Sequence, residues 1–180
     1  VTTHFLWPDS GGPPPSCVFI NRRLALRVLV INPKFHLPID TRTTPHLGVA
    51  YLAAMAEQRG DECRIWDADV EEQGSLEEII RTWRPSVVGI TANTPQVKQA
   101  WRTAGQIKAL DPSIVTVIGG PHPSVLSEES AARPEADIVV RGEGEMPWVK
   151  LLALVEQCKS ADPDFVAADL LDPAARLLDP

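Results

Sequence analysis

Val28-Leu29-Val30-Ile31, closed by Asn32-Pro33, is an apolar run without a polar interruption. Its length suits a strand, and its lack of alternation predicts burial on both faces, as in a parallel sheet covered by helices. The pattern returns four times: Cys63-Arg64-Ile65-Trp66 before Asp67, Val87-Val88-Gly89-Ile90 before Thr91, Ile114-Val115-Thr116-Val117-Ile118 before Gly119-Gly120, and Ile138-Val139-Val140 before Arg141-Gly142.

Helical spacing fills the gaps. Leu47, Tyr51, Ala54 and Met55 fall on one face, with Gly60 as a C-terminal stop. Ser75 and Glu78 have the spacing of a capping box ahead of Leu76, Ile79, Ile80 and Trp83. Val97, Ala100, Trp101, Ala104 and Ile107 form a third stripe, and Trp148, Leu151, Leu152 and Val155 a last one. A short helix is predicted over 125–132. The tryptophans keep step with other apolar residues and read as core anchors. Buried strands alternating with helices make right-handed βαβ units. The predicted fold is therefore α/β: a Rossmann-like (flavodoxin-like) five-stranded parallel sheet, strand order 2-1-3-4-5, with helices on both faces.

Residues 1–24, with Gly11-Gly12-Pro13-Pro14-Pro15, read as an irregular leader, 25–158 as one domain, and 159–180 as a linker-like tail. The 180 residues are 44% hydrophobic and 23% charged, ordinary for a globular chain. A net charge of −7 argues against nucleic-acid binding. No apolar run reaches the ~18–20 residues of a membrane span, and the first fifteen residues lack a signal pattern. A cytoplasmic location with no membrane partner is the expectation. Cys17, Cys63 and Cys158 are too scattered for a disulfide framework or a metal site, and Cys63 reads as a small core residue.

Ligands of open parallel sheets bind at the carboxyl ends of the strands. Four of those loops stand out. The first, from Asn32 through His36 to Pro45, is long for a βα connection. Thr91-Ala92-Asn93-Thr94-Pro95 caps a helix, with Pro95 at its first position, and also offers hydroxyls and an amide to a ligand. Gly119-Gly120-Pro121-His122-Pro123-Ser124 permits close backbone approach, and a bulky residue at Gly120 is expected to fill the space. Gly142-Glu143-Gly144-Glu145 brings two carboxylates to a helix start, where capping or hydrogen bonding to a ligand fits better than acid–base catalysis. Neither G-x-x-x-x-G-K-[ST] nor a G-x-G-x-x-G after the first strand is present, and no nucleophile–histidine pair stands out.

Thr44-Pro45-His46-Leu47-Gly48-Val49-Ala50-Tyr51-Leu52-Ala53-Ala54, Pro85-Ser86-Val87-Val88-Gly89-Ile90-Thr91, Gly119-Gly120-Pro121-His122-Pro123 and the segment from Asp137 to Glu145 occur in that order. Over about residues 25–157 the chain resembles the N-terminal cobalamin-binding domain of B12-dependent radical SAM enzymes. The resemblance implies a corrinoid lying across the strand ends, its nucleotide tail reaching into the edge loops. The contacts expected from these loops are Pro33, Leu47, Thr91, Asn93, Thr94, Gly119, Gly120, Pro121, His122, Gly142 and Glu143, with no catalytic or metal-ligating residue. Methylcobalamin in that family passes a methyl group to a substrate activated by the radical SAM domain.

Some B12 proteins carry D-x-H-x-x-G after the first strand, whose histidine binds cobalt. Here Lys34 precedes His36 by two and Ile39 follows it by three, so base-off cobalamin without a histidine ligand is expected. The family's C-x-x-x-C-x-x-C for an iron–sulfur cluster is absent from these residues. The chain is thus expected not to be catalytic alone and to work with a separate radical SAM domain or subunit; a truncated gene, a fragment and a split subunit all remain open. A Rossmann-like domain for a flavin or nucleotide and a degenerate cofactor-free interaction domain are the alternatives.

Overall fold

The computed structural model describes residues 24–34, 46–68, 75–162, 164–166 and the backbone of 177–178. The leader, the loop bearing His36 and most of the tail lie outside the described residues. The strands are β1 (Arg27–Asn32), β2 (Glu62–Asp67), β3 (Val87–Thr91), β4 (Val115–Gly119), β5 (Ile138–Val140) and β6 (Leu177–Leu178). The five predicted strands form a parallel sheet in the predicted order 2-1-3-4-5. The sheet also carries one strand that was not predicted: β6 pairs in parallel with β5, Leu177 opposite Val139.

The helices are α1 (Leu47–Arg59), α2 (Leu76–Trp83), α3 (Val97–Leu110), α4 (Pro121–Val125), α5 (Ser127–Ala131) and α6 (Glu145–Ala161). Period-2 alternation divides the core into two layers. Val28, Val30, Val87, Val115, Val117, Ile138 and Val140 pack with α1 and α6 on one face. Leu29, Ile31, Val88, Ile90, Ile118 and Val139 pack with residues of α2 and α3 on the other. The predicted stripes of α2, α3 and α6 point inward: Trp83, Trp101 and Trp148 are all buried.

Four expectations need correction. In α1 the buried residues are Val49, Ala53 and Ala56, whereas Leu47 and Tyr51 are 68% and 55% exposed. Nearly every residue of the first two turns is apolar, so the sequence gives no clear phase and the small Ala53 and Ala56 go to the sheet. Second, β2 is the sheet's edge and only half-buried, with Arg64 and Ile65 exposed. Third, Ser75 makes no side-chain cap, and Pro95 sits in a turn ahead of α3; Asn93 Oδ1 accepts the Gln96 amide there at 3.0 Å. Fourth, the helix predicted over 125–132 is replaced by two short ones, α4 and α5.

Arg59 ties the far end of α1 to α6. Its guanidinium donates to Asp61 Oδ2 (2.9 Å) and Glu156 Oε2 (2.8 Å), all three side chains being largely buried. Asp61 also accepts the Leu26 amide at 3.2 Å. Nearby, burial and then the carboxylates of Glu57 and Asp61 push the Cys63 thiol up to about 12. Only the thiolate is nucleophilic, so at pH 9 iodoacetamide should label native Cys63 about two to three orders of magnitude more slowly than the denatured chain. Peptide mapping checks this; equal rates would refute it.

Candidate functional site

The strand register places Gly89 beside Val117, Thr91 beside Gly119, and Val117 beside Ile138. By alternation, Gly89, Thr91, Val117, Gly119 and Val140 share the face that carries α1 and α6. The two glycines remove side chains from this row, with different results. A Cβ on Gly89 would stand 2.9 Å from Cη2 of Trp148, so the indole already occupies that notch. A Cβ on Gly119 would meet nothing nearer than Val140 Cβ, at 3.6 Å, so that notch stays open.

The open notch belongs to a cleft of about 210 Å3 at the carboxyl edge of the sheet. Val49 and Leu52 of α1, with Val117, Val140 and Trp148, give it apolar walls. The polar and charged residues of its lining are His46, Thr91, Glu143 and Glu145. An apolar cleft with a few converging polar groups is the usual form of a small-molecule site.

The loops that frame it are stitched together by backbone. Ala92 donates to Gly119 O (2.8 Å), and His122 donates to Ala92 O (3.0 Å). That approach requires glycine at 120: its φ is +105°, and a Cβ would come within 2.8 Å of Thr91 Oγ1 and 3.0 Å of Ala92 N and O. Gly142 also has positive φ, +68°.

A buried polar network at the ends of β1 and β2 positions His46, which lines the cleft. Asn32 donates to Asp67 Oδ1 (2.8 Å) and accepts from Gln96 Nε2 (3.2 Å), which also bonds Pro33 O (2.7 Å). Asp67 Oδ2 takes the His46 amide at 3.1 Å. His46 Nδ1 then accepts the Val49 amide at 3.4 Å as the cap of α1, so the neutral ring carries its proton on Nε2.

Of the eleven expected contacts, Thr91, Gly119, Gly120, Pro121, Gly142 and Glu143 line the cleft. Five do not. Pro33 is buried and holds Gln96 through its carbonyl. Leu47 projects from the outer side of α1. Asn93 is engaged in its turn. Thr94 Oγ1 lies 3.3 Å from Nδ1 of His122, whose ring is buried edge-on to Trp101 with Glu129 3.3 Å from Nε2. His122 thus packs against α3 and α5 rather than the cleft.

The cleft residues missed from sequence are mainly Gly89, Leu52 and Trp148. Gly89 carried a signal, since a glycine inside a strand often marks a close approach. Trp148 was read as a core anchor, and it is one; its indole also donates to Leu52 O at 3.1 Å and floors the cleft.

Comparison with known proteins gives one answer. Residues 41–152 match the B12 binding domain family. The anaerobic magnesium-protoporphyrin IX monomethyl ester cyclase of Rubrivivax gelatinosus is 37% identical over 142 residues, covering 73% of this chain and 25% of that protein. The cytidylyl-2-hydroxyethylphosphonate methyltransferase of Streptomyces wedmorensis is 29% identical over 150 residues, covering 68% and 27%. Among solved structures, the cobalamin-dependent S-adenosylmethionine radical enzyme OxsB with aqua-cobalamin bound shares the fold, with a TM-score of 0.58 at 17% identity over 78% of this chain and 19% of that one. The chain thus spans about a quarter of the length of these curated relatives. No helix among the described residues is long and apolar enough to cross a membrane. By the family match, and in keeping with the motifs read from its sequence, the chain belongs to the B12 binding domain family.

Proposed function

We propose that this domain holds a corrinoid at the carboxyl ends of β3, β4 and β5, for chemistry carried out by a radical SAM domain or subunit that these residues do not include. The observation that carries the reading is the open notch at Gly119, set between two glycine turns and walled by apolar side chains. At about 210 Å3 the cleft is smaller than the ~300–1,000 Å3 of sites that enclose a whole ligand. It suits one flat arm of a larger molecule, such as the base of a nucleotide tail, with the macrocycle resting over the turns outside.

Thr91 offers a hydroxyl to that arm, and the backbone of Gly119–Pro121 and Gly142 allows close approach. Glu143 and Glu145 accept hydrogen bonds from amides on a corrin rim. When bound, cobalamin supplies methyl-transfer chemistry; the protein binds, orients and shields it. His46 is tied up as a helix cap through Nδ1. Because the loop after β1 lacks the D-x-H-x-x-G spacing, the cobalt is expected to carry no histidine from that loop.

Mixing the protein with excess hydroxocobalamin, desalting and recording the visible spectrum tests the reading. The expected result is retained corrinoid near one equivalent, with a spectrum unchanged by His36→Ala. A colourless protein, or one that retains flavin instead, would overturn it.

A further inference from the structure

We propose that Ser124 is a positioning residue that latches the turn after β4 to the turn after β5 and so sets the width of the corrinoid berth; this rests on the corrinoid reading above. Ser124 lies in the short α4, half-buried and outside the cleft lining. Its hydroxyl donates to Gly120 O at 2.8 Å and accepts the Gly142 amide at 2.9 Å, eighteen residues further along the chain. A hydroxyl can serve as donor and acceptor at once, and this one uses both capacities.

The two groups it joins are the ones that most need restraint. Gly120 and Gly142 both hold positive φ, in turns that line the cleft from adjacent strands. Glycine reaches such conformations easily and leaves them as easily, because no Cβ limits the alternatives. Gly120 is also held by its backbone neighbours, through Ala92 and through the Ser124 amide on its carbonyl at 3.1 Å. The Ser124 hydroxyl carries that restraint across to Gly142. A hydrogen bond between two exposed turns contributes little to the global fold, since water replaces it on loss. It contributes to preorganisation, because a ligand meeting loose turns must order them as it binds.

Three variants separate a latch from a general effect on the helix. Ser124→Ala removes both bonds. Ser124→Thr keeps a hydroxyl at the same atom, which in a helix also reaches the carbonyl four residues back. Ser160→Ala is the control: the Ser160 hydroxyl makes the same kind of bond to Glu156 O (2.6 Å) in α6, on an exposed site away from the cleft. Amide hydrogen exchange at Gly142 is read first, without ligand, and hydroxocobalamin affinity and thermal midpoint second.

Ser124→Ala is expected to speed Gly142 exchange several-fold and weaken hydroxocobalamin binding about three- to tenfold, the value of one hydrogen bond, with the midpoint nearly unmoved. Ser124→Thr should restore both, and Ser160→Ala should change neither. Unchanged Gly142 exchange in Ser124→Ala overturns the latch. Undiminished affinity of Ser124→Ala, beside a wild-type protein that binds, overturns its role in the berth. A wild-type protein that binds no corrinoid overturns the functional reading instead, and Gly142 exchange then judges the latch alone.

Discussion

Gly119→Phe is expected to abolish corrinoid retention, weakening hydroxocobalamin binding about a hundredfold or more while leaving the thermal midpoint within a few degrees of wild type. The register puts a side chain at 119 on the same face as Val117 and Val140, facing the cleft. Its Cβ meets Val140 at an ordinary 3.6 Å, so the backbone need not move. The ring then occupies the space proposed for the ligand's flat arm, and a steric conflict of about 3 kcal/mol corresponds to two orders of magnitude in affinity. Gly120 is a poorer place for this test, contrary to the expectation from sequence. A bulky residue there would clash with Ala92 backbone and require a positive φ, damaging the turn itself. Equilibrium titration followed by visible absorbance measures the effect. Retention equal to wild type in a folded Gly119→Phe protein would remove the cleft from the binding site.

The other large effect falls on Trp148. It is 2% exposed and packs among Val117, Val140, Leu151 and Leu152, with its indole against Gly89. Trp148→Ala should cost about 3–5 kcal/mol through lost burial and the cavity left behind. For a domain of this size each kcal/mol moves the midpoint roughly 2–4 °C, so a fall of about 6–20 °C is expected by circular dichroism. Gly89→Ala adds a methyl at 2.9 Å from the same ring and should cost about 1–3 kcal/mol by overpacking. In the Trp148→Ala background that penalty should disappear, because the obstructing atom is gone. Additive losses in the double mutant would show that Gly89 and Trp148 are not the matched pair described here.

The sheet was legible because buried parallel strands announce themselves as unbroken apolar runs, and the loops after them follow from topology alone. Which residues of those loops face inward was less legible. Gly119, Gly120 and Pro121 line the cleft, while the next residue, His122, turns to Trp101 on the opposite side of the sheet. Adjacency in sequence says nothing about that reversal, which depends on where α4 begins. Gly89 and Trp148 lie 59 positions apart and meet only through packing. The helix α1 was placed correctly and rotated wrongly, since a helix apolar on several sides takes its orientation from the sheet it lands on. Gln96 carries no signal in the sequence pattern, and it is 2% exposed and braces the end of β1 against the start of α3.

The two sides of the cleft are held in different ways. On one side α1 and α6 are joined at two heights, by Arg59 to Glu156 near the base and by Trp148 to Leu52 near the mouth. The first turn of α1, above Leu52, is held in addition by the His46 cap, whose amide donates to Asp67. The opposite side is glycine-rich backbone held by hydrogen bonds from Ala92, His122 and Ser124. The domain is built like a vice with a side-chain jaw and a backbone jaw: the first takes its position from packed helices, the second from hydrogen-bonded turns.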